Sequence, residues 1–221
     1  MIKLMIIGRR APSISRSAAH RHLREVHGQM VVRPPADAGA MPKDYVQNHV
    51  LDGAYPGGDG PHAIERDLVT ELWFDSIDDL RASTGTPYYL ENLKPDEPLF
   101  VDDSTVEKLM VQPHLLVERG IGQFKVFWAI SGAIDNAVFD QKLVDQNGLE
   151  CAIRNDVLPP PSGQPRFVDV IYEAWFSQRS DAETALRGFT NISSADGLDR
   201  ASSFAVIAEQ FDTQRLLGLS S

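Results

Sequence analysis

Asp67-Leu-Val-Thr-Glu71-Leu-Trp-Phe74 in the first half of the chain is answered by Asp169-Val-Ile-Tyr-Glu173-Ala-Trp-Phe176 in the second. Both read D-x-x-x-E-x-W-F. Working outward, Val46-Gln-Asn-His-Val-Leu51 upstream of the first copy is matched by Ile153-Arg-Asn-Asp-Val-Leu158 upstream of the second. A loop rich in Gly and Pro follows each: Tyr55-Pro-Gly-Gly-Asp-Gly-Pro61, then Pro159-Pro-Pro-Ser-Gly-Gln-Pro165. Downstream, Ser76-Ile-Asp-Asp-Leu80 is paired with Ser180-Asp-Ala-Glu-Thr-Ala-Leu186. Ser180 and Glu183 have the spacing of a capping box, which marks a helix start.

The fronts of the halves repeat as well. Lys3-Leu-Met-Ile-Ile7 and Lys125-Val-Phe-Trp-Ala-Ile130 read as strands, and helical stretches follow near 15–32 and 134–146. Closing strands fall near 106–117 and 203–211. The order is β-α-β-β-α-β twice, the ferredoxin-like split motif. Each such unit has a sheet with helices on one face, and its other face must be covered. The expected fold class is therefore α+β: two ferredoxin-like halves, 1–119 and 120–221, packed sheet to sheet as one α+β barrel. Gly120 and Gly122 form the hinge. The first half is expected to carry the active site and the second to act mainly as its structural partner.

Composition narrows the function. The net charge is -10 without a basic stripe, which speaks against nucleic acid. No apolar run approaches the ~18 residues of a membrane helix. A single cysteine, Cys151, suits a reducing cytoplasm. There is no G-x-G-x-x-G, P-loop, G-x-S-x-G or H-E-x-x-H, so neither a nucleotide, a nucleophilic serine nor a metal is expected, and no cofactor is inferred.

All six histidines, His20, His22, His27, His49, His62 and His114, lie before residue 120, and Asp156 stands where His49 stands. Features kept in both halves are most simply explained by folding; those confined to one half are better candidates for function. The Asp67/Glu71/Trp73/Phe74 pattern is thus scaffold first. On a strand, Leu68, Thr70, Leu72 and Phe74 share a face suited to packing under helices. Asp67, Val69, Glu71 and Trp73 share the other, where a buried Glu needs partners. His27 flanks the apolar row Ala19, Leu23, Val26 and Met30 of the first helix, at the edge of a helix–sheet cleft. Counted at 3.6 residues per turn, His20 shares its face and His22 points to solvent. His49 should lie near the start of the third strand, with Asp67 as its orienting carboxylate. Thr86-Pro87 starts a short helix whose Tyr88 and Tyr89 could close the cleft.

These residues also resemble a known family. Lys3–Ile7, Ser15 opening a helix, Val26-His27-Gly28, Tyr45-Val-Gln-Asn-His49 and Asp67…Glu71-Leu-Trp-Phe74 are similar to the EthD family, over most of 1–118 and more faintly 124–211. Pro often follows that Gly in the family, where this chain has Gln29. The resemblance implies the dimeric α+β barrel class, with the usual pairing of two chains made internal here as a pseudo-dimer; a further homodimer stays open. It implies a small-molecule substrate and relatives that work without cofactors. The expected function is lyase, cyclase, dehydratase or decarboxylase chemistry on an apolar, aromatic or polyketide-like molecule. His27, His49 and Asp67 would be catalytic. His20, Tyr88, Tyr89, Thr70, Leu72 and Glu71 would bind substrate. The alternatives are a cofactor-free monooxygenase and a non-catalytic binding protein.

Overall fold

A computed structural model describes residues 1–120, 122–160, 162–189 and 197–212. Position 121 of the expected hinge, 161 of the second Gly/Pro loop and the end of the second half, 213–221, lie outside the described residues. The fold is mixed α+β, and the β-α-β-β-α-β order occurs twice. The first round holds β1 (Ile2–Gly8), helix α1 over 16–32, β2 (Asp44–Ala54), β3 (Leu68–Phe74), α2 (Ile77–Gly85), a short helix α3 over 89–96, and β4 (Glu107–Glu118). The second holds β5 (Phe124–Ile130), α4 (Asn136–Val144), β6 (Leu149–Val157), β7 (Val170–Phe176), α5 (Arg179–Phe189) and β8 (Phe204–Asp212). None of the described helices is long and apolar enough to cross a membrane.

Among the described residues the chain forms two compact units, each drawn from separate stretches of sequence: Met1–His49, Arg66–Met110 and 211–212 in one, Val50–Glu65 and Val111–Gln210 in the other. They differ from the 1–119 and 120–221 division of the repeat. The pairing of β2 with β3 ends at His49 opposite Leu68, and the rest of β2 groups with the second unit.

In the first unit β3 lies between β1 and β2, antiparallel to both. Ser15 caps α1 by accepting from Ala18 N, and Ser76 caps α2 from Asp79 N, each satisfying an orphan amide of a first turn. α1 buries Leu23 against Leu68, Phe100 and Val101, and Val31 against Tyr45 and Leu93. In the second unit the strand order is β8-β5-β7-β6, and residues 111–118 of β4 pair with β6. Helix α5 begins at Arg179, one residue before the expected cap Ser180. Glu183 is taken by Arg179 at 2.8 Å instead of reaching back to a cap.

The repeated residues make the same interaction in each unit. Lys3 Nζ lies 2.7 Å from Glu71, and Asn48 Nδ2 donates to Glu71 at 2.8 Å and to the Val69 carbonyl at 3.0 Å. Their counterparts follow suit: Lys125 Nζ to Glu173 at 2.9 Å, Asn155 Nδ2 to Glu173 at 2.8 Å and to the Ile171 carbonyl at 3.1 Å. Each ammonium also lies over a tryptophan, Trp73 at 5.0 Å and Trp175 at 4.2 Å. All six polar side chains are buried. Glu71, expected also as a substrate ligand, is thereby engaged on the sheet face opposite α1.

Truncating one member of such a buried set strands a charge. Lys3→Met is expected to lower stability by about 3 kcal/mol, read from urea unfolding. A change within a few tenths would show that Lys3 adds nothing to the fold.

Candidate functional site

The face of β3 carrying Leu68, Thr70, Leu72 and Phe74 turns toward the helices, as the alternation predicts. It does not meet them in close packing. A cavity of about 750 Å³ lies within the first unit. Its sheet wall is Leu4 and Ile6 of β1 with those β3 residues and Tyr45. Its helix wall is Leu23, His27 and Val31 of α1 with Tyr89 and Leu93 of α3. Lys94, Glu97, Asp103 and Lys108 add charges of both signs to a lining that is otherwise mostly apolar.

Where His27 lines the cavity, α1 is not a uniform helix. Over Leu23–His27 it widens into a π-turn, and the Gly28 amide donates to the Leu23 carbonyl, five residues back. At 3.6 residues per turn His22 and His27 would point well apart. The extra residue in the turn brings them together, and both hold one carboxylate. His27 Nδ1 donates to Asp96 Oδ2 at 3.0 Å, and His22 Nε2 to Asp96 Oδ1 at 2.9 Å. Burial pushes the Asp96 carboxyl up, but these two hydrogen bonds outweigh it and hold the group below the usual carboxylate range. His27 is itself buried and packs on the Phe100 ring, centroids 4.9 Å apart. With Nδ1 donating to Asp96, Nε2 is the imidazole's proton-accepting atom.

Gly28 makes the turn. A Cβ there would lie 2.2 Å from Gln47 Nε2 and 2.8 Å from the Leu23 carbonyl. That amide donates to the same carbonyl at 2.9 Å and to the Tyr45 hydroxyl at 3.2 Å, tying helix to sheet. Gln29 donates from its side chain to the Arg24 carbonyl, also five residues back.

The sequence-derived candidates separate. His27, Thr70, Leu72 and Tyr89 line the cavity. Tyr89 donates to Glu97 at 3.0 Å, and burial first, then Glu97, raises its pKa, so it stays protonated. Tyr88 is spent on the Met30 carbonyl at 3.0 Å, so its hydroxyl is not offered to a substrate. The expected His49–Asp67 pair does not form. His49 stands opposite Leu68, on the other face from Asp67. The Asp67 carboxylate takes Arg16 at 2.6 Å, and Arg10 through its amide at 2.9 Å and its guanidinium at 3.0 Å. Burial raises the Asp67 pKa, and these bonds more than reverse that. His20 parts from His27 across the π-turn. It donates to the Asp67 carbonyl at 2.7 Å and stacks on His49, centroids 4.5 Å apart.

Asp96 and Tyr45 were missed by sequence reasoning. Asp96 lies in Lys94-Pro-Asp-Glu-Pro98, a stretch without periodicity, and nothing in it points back to His27.

Comparison with known proteins matches residues 11–104 to the EthD domain, which covers the whole cavity-bearing helix and β3. A search of curated proteins finds no match. Among solved structures, an anthrone oxidase-like protein aligns with TM-score 0.55 at 10% identity, over 96% of this chain and 93% of that one. A candidate monooxygenase from Fusobacterium nucleatum subsp. nucleatum aligns with TM-score 0.53 at 7% identity, over 95% and 91%. At such identities the likeness shows the fold alone.

Two outcomes test this geometry. Gly28→Ala should cost about 1–3 kcal/mol by overpacking, and His27 should lose its Asp96 partner; unchanged stability would mean that the turn does not need Gly28. The second concerns His49, whose pKa burial, His20 and Arg24 push down to about 3 from 6.5. Between those values the unfolded chain binds a proton that the folded chain refuses, so stability falls as pH drops from 6.5 toward 3. Unfolding free energies from urea titrations between pH 7 and 4 should fall less steeply for His49→Gln, by about 1 kcal/mol per pH unit; parallel curves would count against it.

Proposed function

We propose that the chain is an enzyme that abstracts a proton from an activated carbon of a small aromatic substrate and delivers the resulting carbanion to molecular oxygen. The observation that carries this reading is the buried His27–Asp96 pair lining an apolar cavity. Such a cavity, with few polar groups, is the usual form of a small-molecule site. A general base is most effective when a second group holds its tautomer and supports the charge it acquires. Asp96 does both for His27: it accepts from Nδ1, which leaves Nε2 basic, and its own carboxyl stays ionised.

The reaction balances without a further reductant. For a methylene held between two arene rings that conjugate it to a ketone, His27 Nε2 takes one proton and leaves a delocalised carbanion. The carbanion passes electrons to oxygen, a carbon–oxygen bond forms, and the peroxide takes the proton back from His27. Loss of the remaining hydrogen on that carbon, with cleavage of the oxygen–oxygen bond, gives a ketone and water. The apolar walls favour this sequence, because a neutral aromatic ketone and oxygen both partition into such a space. The names of the two solved structures support an oxygen-using reaction over the lyase chemistry first expected. A single cysteine whose thiol burial holds protonated suits a cytoplasmic setting for it.

An oxygen electrode with anthrone as substrate tests the reading. One oxygen should disappear per anthrone consumed. His27→Ala should lower kcat by about 10²–10⁴-fold. Asp96→Asn should lower kcat and shift the acid limb of the pH profile downward, because the imidazole loses its supporting charge. Product formation at constant oxygen would replace the reading with proton-transfer chemistry alone. Full activity in His27→Ala would overturn it.

A further inference from the structure

The repeat supplies an internal comparison for the cavity. Setting Lys3 against Lys125 and Glu71 against Glu173 places Ile6 at Trp128 and Thr70 at Tyr172. Ile6 and Thr70 are direct cross-strand partners, and so are Trp128 and Tyr172. At one corresponding position of the two sheets, then, the first unit has an aliphatic and a small hydroxyl side chain and the second has two aromatic rings.

The second unit shows what this place accommodates. Trp128 and Tyr172 are both buried there in the main apolar cluster. Phe139 of α4 packs against them, 4.4 Å from the Tyr172 ring and 6.5 Å from Trp128. The Tyr172 hydroxyl donates to Asn136 at 3.2 Å. A fused ring and a phenol thus occupy the helix–sheet space that the first unit leaves open. In the first unit Thr70 is 6% exposed and lines the cavity. Its hydroxyl has no hydrogen-bond partner among the described residues. A hydroxyl on the wall of a mostly apolar cavity is the kind of polar group that fixes a ligand's orientation.

We infer that the Ile6–Thr70 pair is the selectivity element of the cavity. Its two small side chains open the space for a flat fused-ring ligand, and Thr70 Oγ1 hydrogen-bonds a ketone or phenol oxygen of that ligand. The inference rests on the proposed reading of the site but is a claim about binding. It therefore stands or falls separately from turnover.

Anaerobic titration with anthrone, followed by calorimetry, separates the two. The wild-type chain should bind. Thr70→Val keeps the shape and removes the hydroxyl, so affinity should fall about tenfold. The double variant Ile6→Trp/Thr70→Tyr, which installs the second unit's pair, should abolish binding and keep a cooperative thermal transition. If that variant does not fold, Thr70→Val alone decides the matter. Unaltered affinity in Thr70→Val, retained binding in the folded double variant, or no binding of anthrone by the wild-type chain would each overturn the inference. Wild-type binding without oxygen uptake would overturn the reaction proposed above and leave this inference standing.

Discussion

A carboxylate in the middle of a sheet, shut away from water, constrains nearly everything else in the first unit. Glu71 can be buried only because Lys3 and Asn48 arrive on the same face, and they arrive there only in one register of β1 and β2 against β3. A slip of one residue in either strand would turn the partner to the opposite face and leave the charge alone. Once the register is set, the other face follows by parity. Leu68, Thr70 and Leu72 point toward the helices, and Gln47 points with them, where it can reach the Leu23 carbonyl. The second unit is held by the same set, Lys125, Glu173 and Asn155. An ion pair in such a place adds little net stability over apolar packing, but it discriminates strongly against wrong pairings.

The helix over that face is deformed where His27 lines the cavity. A π-turn leaves backbone groups misaligned and is found mostly where function requires it. Here the deformation is supported from several sides. Gly28 leaves room for Gln47, Gln47 and Gln29 cap displaced carbonyls, and Asp96 holds two imidazoles that a regular helix would separate. The result is an imidazole with a fixed tautomer at the wall of an apolar space. Those are the elements that base-initiated chemistry on a carbon acid needs.

The two rounds of the motif differ in what their helix–sheet spaces contain. In the second, Trp128, Phe139 and Tyr172 fill the space with rings. In the first, Ile6 and Thr70 leave it open. The histidines follow the same division: all of them precede residue 120, and only His27 among them lines the opening. His20 and His49 form a separate stack, in which burial lowers both pKa values and keeps the rings uncharged near neutral pH.

The local sequence was enough for whatever depends on chain order and period. The duplicated D-x-x-x-E-x-W-F pattern and the alternation on β3 determined the α+β class, the element order, the helix-facing row Leu68–Thr70–Leu72–Phe74 and the need of Glu71 for buried partners. His27 could be picked out because it sits at the border of an apolar stripe. Tertiary structure alone decided who meets whom across long separations. The partner of His27 is Asp96, 69 residues away, in a segment with no pattern to announce it. Asp67 was claimed by Arg10 and Arg16 before His49 could have it, since a carboxylate gains more from two fixed cations than from one neutral ring. The faces of His20 and His22 were misread for one reason: a 3.6-residue count cannot register the extra residue of a π-turn. Hydrophobic period is written in neighbouring residues, whereas a hydrogen bond between distant side chains exists only once the backbone has brought them to about 3 Å.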